Sequence, residues 1–174
     1  MRYKQMAVYR FAELSEQAKQ HAKDEYANAV GYDWGHEALG SLRALAKHFG
    51  GKLSDWSIDW ADPDCCSAEF VTPDHLSHDE IAERLAELGA YNPDTLKGLG
   101  ECKLTGYCAD ESAIDGFRQA FMAGEDDLSE LMRAAFEAWI RDAVADYESQ
   151  FEDEHFAETC DSNDWEFDET GELI

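Results

Sequence analysis

From Leu128 to Phe151 one apolar stripe recurs at helical spacing, through Leu131, Met132, Ala135, Phe136, Trp139, Ile140, Val144 and Tyr147. The segment around it is almost entirely acidic, since residues 125–174 hold 18 acids against 2 bases, Arg133 and Arg141. Carboxylates at that density repel one another. Such a segment folds only if its stripe is buried against other parts of the chain and its charge is left outside. The pattern predicts a helix of about seven turns starting at Asp126 or Asp127. On that reading the cluster Glu152-Asp153-Glu154 lies near the far end, where it opposes the helix dipole.

The rest of the chain supplies something to bury the stripe against. Of 174 residues, 44% are hydrophobic and 12% aromatic, more than a disordered acidic chain carries. Three prolines and no Gly/Ser-rich linker suggest a single domain over residues 1–174. The net charge of −25 is polarised: residues 1–60 balance 8 acids with 8 bases, and 61–124 hold 13 acids and 4 bases. Selection for solubility alone would spread the charge. Nucleic acid and anionic membranes are excluded as direct partners of the acidic surface by its sign. The opening "MRYKQMAVYRF" has no apolar run of signal-peptide length, and no window approaches the ~18 apolar residues of a membrane span. The five cysteines, Cys65, Cys66, Cys102, Cys108 and Cys160, are odd in number and two are adjacent, which fits a reducing cytosol better than a disulfide scaffold.

Local signals place the other elements. Residues 7–11 suit a short opening strand, Ser15 caps a helix carrying Ala18, Ala22, Tyr26, Ala29 and Val30, and Gly31 stops it. A second helix runs through Leu39, Leu42, Leu45 and Phe49 to Gly50-Gly51. Residues 53–61 alternate Trp56, Ile58 and Trp60 with Ser57 and Asp59 as a half-buried strand, with 66–72 as its antiparallel partner. Ser77 and Glu80 form a capping box for a helix through Ile81, Leu85 and Leu88, ending at Gly89. Residues 90–100 read as a loop, 101–109 as another strand, and Ile114, Phe117 and Phe121 as a helix ending near Gly124. Trp165 and Phe167 alternate with acids in the tail like an edge strand and a turn. Without a βαβ rhythm the fold class is α+β: a short antiparallel sheet packed with about five helices, one of them a long acidic C-terminal helix.

Catalytic and metal constellations are sparse. His75 and His78 lie close in sequence to Cys65-Cys66, but paired ligands at zinc-finger spacing are missing. Residues 161–172 lack the EF-hand core, and no phosphate-binding, dinucleotide or nucleophile-elbow motif occurs. Neither a cofactor nor a catalytic group is expected. The acids that carry a reading are those of the long helix, paired one turn apart as Asp142 with Asp146 and Glu148 with Glu152, and followed by Asp153, Glu154 and Glu158. A surface of this kind competes for a phosphate-binding groove by the electrostatic steering that DNA uses. The bland alternative is a solvated face. Charge polarity and the dipole mismatch favour a partner.

The stretch "VYRFAELSEQAKQHAKDEYANAVGYDW", with Phe11, Glu13, Leu14, Ser15, Ala18 and Lys19 in an F-x-E-L-S-x-x-A-K pattern, resembles the start of a family of small acidic phage and prophage proteins. The end, "NDWEFDETGEL", resembles theirs also. The middle of the chain does not. Some members are labelled antitoxin-like. The resemblance implies a phage-borne accessory protein in a bacterial host cytoplasm, where small acidic proteins often act as DNA mimics against CRISPR or restriction complexes. The expectation is a non-enzymatic inhibitor whose Asp142, Asp146, Glu148, Glu152, Asp153, Glu154 and Glu158 contact a positively charged nucleic-acid-binding protein. The alternatives are an antitoxin neutralising a basic toxin, or a metal-binding enzyme. The sequence leaves homodimerisation open.

Overall fold

The structure, a computed structural model, describes residues 7–30, 35–60, 62–73, 75–89, 104–106 and 109–174. Its elements are α1 (Glu16–Val30), α2 (Gly35–His48), β1 (Lys52–Ser57), β2 (Ser67–Val71), α3 (His78–Glu87), α4 (Ala109–Met122), α5 (Leu128–Ser149) and α6 (Asp153–Ser162). Among the described residues, six helices and a two-stranded antiparallel sheet make the class α+β, as the sequence indicates. The chain gathers into two compact units, one of Met1–Asp33 with Asp146–Ile174 and one of Trp34–Ala145.

In the unit built from the two ends of the chain, Ser15 Oγ accepts the Ala18 N–H at 3.2 Å and opens α1 as expected. The opening strand is reduced to one antiparallel bridge, Tyr9 with Phe167, because Phe11–Glu13 turns into a 3₁₀ turn. That bridge seats Phe167 in a core with Phe11, Leu14, Ala18, Ala22, Phe156 and Cys160. Phe11 meets Phe156 edge-on at 4.9 Å, within the range where aromatic pairs attract. Trp165 is half-buried against this core and Phe167 is inside it, at 3% exposure.

The other unit is built around Trp139, fully buried, whose indole N–H donates to the Ala38 carbonyl at 3.0 Å. Phe49 of the turn after α2 stacks on Phe117 of α4 at 4.3 Å. The stop after α2 is a Schellman turn, with Gly50 at φ 80 and the Gly51 N–H on the Ala46 carbonyl at 2.8 Å. The same arrangement ends α4 at Gly124, φ 100. Ser77 and Glu80 cap α3 reciprocally. Beside them, His48 Nε2 lies 2.8 Å from the Arg84 carbonyl, and the Arg84 guanidinium donates to the His48 carbonyl at 3.2 Å.

Two strand expectations change. β1 ends at Ser57, and a register shift between Leu53 and Asp55 puts Leu53 and Trp56 opposite Phe70 and Ala68. Near the strand's end, Trp56 is 42% exposed with the Arg43 guanidinium over its ring, so the expected half-buried alternation fails there. Of the strand expected over 101–109, residues 104–106 are a bend and most of the rest lies outside the described residues, as do the loop at 90–100 and the stop at Gly31.

The main correction concerns the long helix. α5 ends at Ser149, and α6 starts at Asp153 with Glu152 as its N-cap residue in extended conformation, φ −61 and ψ 141. The Phe151 N–H closes on the Glu148 carbonyl at 3.0 Å and the Glu152 N–H on the Ser149 carbonyl at 3.2 Å, the tightened spacing of a helix end. One long acidic helix is in fact two.

Candidate functional site

The seven acids singled out from sequence fall in different places. Asp142 belongs to the unit of Trp34–Ala145, and the other six belong to the unit formed by the chain ends. Asp146 and Glu148 occupy the last turn of α5, which carries no base to complement its dipole. Asp142, Asp146, Glu148, Glu152, Asp153, Glu154 and Glu158 are all exposed.

The break before α6 reverses one argument. Glu152, Asp153 and Glu154 stand at a helix N-terminus, where free N–H groups and the positive dipole end favour negative charge. The dipole mismatch expected of them does not exist. Asp153 has, besides, a structural task. The Lys23 ammonium donates to it and Lys19 Nζ lies 3.9 Å away, which ties α6 to α1. The Lys23 hydrogen bond, helped by the charges of Lys23 and Lys19, holds the Asp153 carboxyl below the usual carboxylate range.

The outward acids of α6 form a row. Phe156 and Cys160, one turn apart, face the core. Glu154, Glu158 and Asp161 therefore share the opposite side, as the helical period requires. All three are exposed and make no ion pair among the described residues. Asp161 was missed from sequence, because its place in the row becomes readable only once α6 is seen as a separate helix. Burial pushes the Cys160 thiol up to about 11, so it behaves as a core residue and not as a nucleophile.

His155 lies among these acids. Its Nδ1 is 2.9 Å from the Ser149 carbonyl, and that bond, with the charges of Glu152, Glu158 and Glu154, raises its pKa. The tail acids are partly committed as well. Asp164, in the left-handed region at φ 54, forms the turn that ends α6 and lies 3.8 Å from Arg10. Asp168 accepts the Thr170 N–H at 2.8 Å and the Glu172 N–H at 3.1 Å, which, after the Thr170 hydroxyl bond, lowers its pKa.

The metal candidates separate. His75 and His78 line a polar cavity of about 500 Å³ with Asp126 and Asp127, and His78 stacks on Phe121 at 4.5 Å. Cys65 and Cys66 are free thiols in the turn before β2, where the Cys65 thiol donates to Asp62 at 3.1 Å and the Cys66 thiol to the Asp59 carbonyl at 3.2 Å. Among the described residues no group of three or more His, Cys, Asp or Glu side chains is placed to hold a metal ion. None of the described helices is long and apolar enough to cross a membrane. No protein-family model matches the chain, and neither a curated protein nor a solved structure matches it.

Proposed function

We propose that the protein is a non-catalytic inhibitor that presents the acidic end of its chain to the nucleic-acid-binding groove of a positively charged bacterial complex. A phage-borne protein directed against a CRISPR or restriction complex is the setting that fits. One observation carries the reading. Residues 146–174 contain 12 acids and no Lys or Arg, and the row Glu154, Glu158 and Asp161 stands outward from α6 with no Lys or Arg paired to it among the described residues.

Spacing supports it too. Along α6 the row places charges about 4.5 and 6 Å apart, from ~1.5 Å per residue. A single nucleic-acid strand carries one per ~3.4 Å. The row is a diluted strand, able to use the same groove while lacking any base edge to be read. The reading no longer draws on a dipole mismatch, and Asp153 is set aside from the contact surface because Lys23 holds it.

The experiment is capture from a bacterial lysate carrying defence systems, comparing the natural chain with a triple Glu154→Lys, Glu158→Lys, Asp161→Lys variant. The natural chain should capture a nucleic-acid-handling complex that high salt and added duplex DNA displace. The reversed variant, with the circular dichroism of the natural chain, should associate at least about tenfold more slowly, as expected when steering is removed. Capture that survives the reversal, or that DNA does not compete, sinks the reading.

A further inference from the structure

In the unit formed by the chain ends, a cavity of about 360 Å³ opens between α1 and the tail. Its walls are mostly carbon. Tyr26 and Trp165, both half-buried, pack on one another in its wall, with ring centroids 5.3 Å apart and planes inclined at 56°. Phe156 and Phe167, at 1% and 3% exposure, lie beneath. The rim has a different character. Glu25 on α1 and Glu172 in the last turn also line the cavity, both exposed and without an ion pair among the described residues.

Those two halves set the chemistry of an occupant. A purely apolar group would cover the aromatic wall and leave two carboxylates beside it unpaired. A small hydrated cation would satisfy the carboxylates and gain little from the rings. A planar, weakly hydrated cation on a hydrocarbon stem uses both, because aromatic faces attract positive charge and stack on a guanidinium. Among the described residues the unit's cations are engaged elsewhere: Lys19 and Lys23 lie over Phe11 at 6.0 and 5.9 Å, and Arg10 donates to the Trp165 carbonyl at 3.3 Å. No Lys or Arg among the described residues lines the cavity.

The geometry points to a pocket that takes the guanidinium side chain of an arginine presented by a basic protein partner. The inference rests on the inhibitor reading for the source of that arginine, and it adds an anchor to it. Outward carboxylates steer a basic groove toward the unit, and a desolvated arginine laid against the aromatic wall supplies the short-range contact that slows dissociation, as buried aromatic and arginine anchors do at interfaces.

The test uses the full chain labelled with ¹⁵N, titrated with N-acetyl-arginine amide and separately with its neutral isostere, N-acetyl-citrulline amide. The indole N–H of Trp165, assigned by its loss in Trp165→Phe, should shift saturably with the arginine probe and stay in place with citrulline. Because replacing an aromatic wall can disturb the core, the decisive variant is the double Glu25→Gln, Glu172→Gln. It keeps every ring and should weaken the arginine response about threefold. Equal responses to both probes, no response to arginine, or full affinity in the double variant would each overturn the proposal. The α6 charge-reversal variant separates the two readings. If it still takes up the arginine probe while the natural chain captures no complex, the groove reading fails and the pocket stands. If capture works but the probe does not bind, only the pocket fails.

Discussion

The two units use charge in different ways. In the unit of Trp34–Ala145, Arg118 pairs with Asp115 within α4, and Arg133 pairs with Glu130 and Glu137 within α5, each about one turn apart. The Arg133 pairs are exposed and contribute little to stability, which leaves most of the fold to residues such as Trp139, Phe49 and Phe117. In the unit formed by the chain ends, the cations of the first segment reach the acids of the last, Lys23 to Asp153 across 130 positions and Arg10 to Asp164. Here charge ties together two segments, one of which has no base of its own. A surplus of acid is tolerable where a few are held and the rest face water.

If that contrast is right, a core truncation should act locally. Phe156 is 1% exposed and meets Phe11 at 4.9 Å and Tyr26 at 5.4 Å, so Phe156→Ala opens a cavity at the junction of α1 and α6. The expected cost is about 3–5 kcal/mol. Hydrogen exchange should show protection lost in α1 and α6 first, with α2 and α4 keeping theirs. Equal loss in all four helices would break the comparison.

Close backbone approaches sharpen it at a smaller scale. Gly171 has φ 91, and a Cβ there would run into the Ala18 carbonyl of α1. Gly116 of α4 would set its Cβ 2.5 Å from the Ala138 Cβ and 2.6 Å from the Ala134 carbonyl of α5. Each is a point where two segments come together at a residue without a Cβ. Gly171→Ala adds backbone strain to the clash, so it should destabilise the unit of the chain ends by about 1–3 kcal/mol. Gly116→Ala carries no such strain and should cost less. Urea midpoints for the two variants check the order, and a larger loss for Gly116→Ala would reverse it.

Legibility follows the range of the interaction. The capping box of Ser77 and Glu80 and the Gly50-Gly51 stop after α2 were readable because their bonds close within six residues. The break between α5 and α6 was not. The aromatic stripe runs through it unbroken, Tyr147 meeting Phe151 at 5.0 Å on the far side, and neither Gly nor Pro marks the turn. A signal was present, since three acids in succession suit the start of a helix, yet a reading committed to one long helix treats them as a mismatch. The Lys23–Asp153 pair had no sequence signature at all. Among the seven candidate acids, spacing alone therefore could not separate Asp153, which holds the fold, from Glu154 and Glu158, which face water.

The smallest expected effect tests that separation by pH. The Asp153 carboxyl is depressed, mainly by its hydrogen bond from Lys23, so its contribution is present above the ordinary carboxylate range and lost as pH falls through the depressed value. His155 is raised, first by its bond to the Ser149 carbonyl and then by Glu152, Glu158 and Glu154. Its contribution is complete below the ordinary imidazole value of about 6.5 and lost as pH rises through the raised one. The start of α6 should therefore be best protected between these two titrations. Exchange of the Phe156 N–H, which bonds the Glu152 carbonyl at 2.9 Å, reports on it directly once corrected for intrinsic rates. His155→Gln should remove the decline on the alkaline side and leave the acid side, whereas Lys23→Met should shrink the acid limb and spare the other. If both variants keep the natural profile, neither contact holds α6. The charge that ties the chain ends together would then contribute as little as the exposed Arg133 pairs of the other unit.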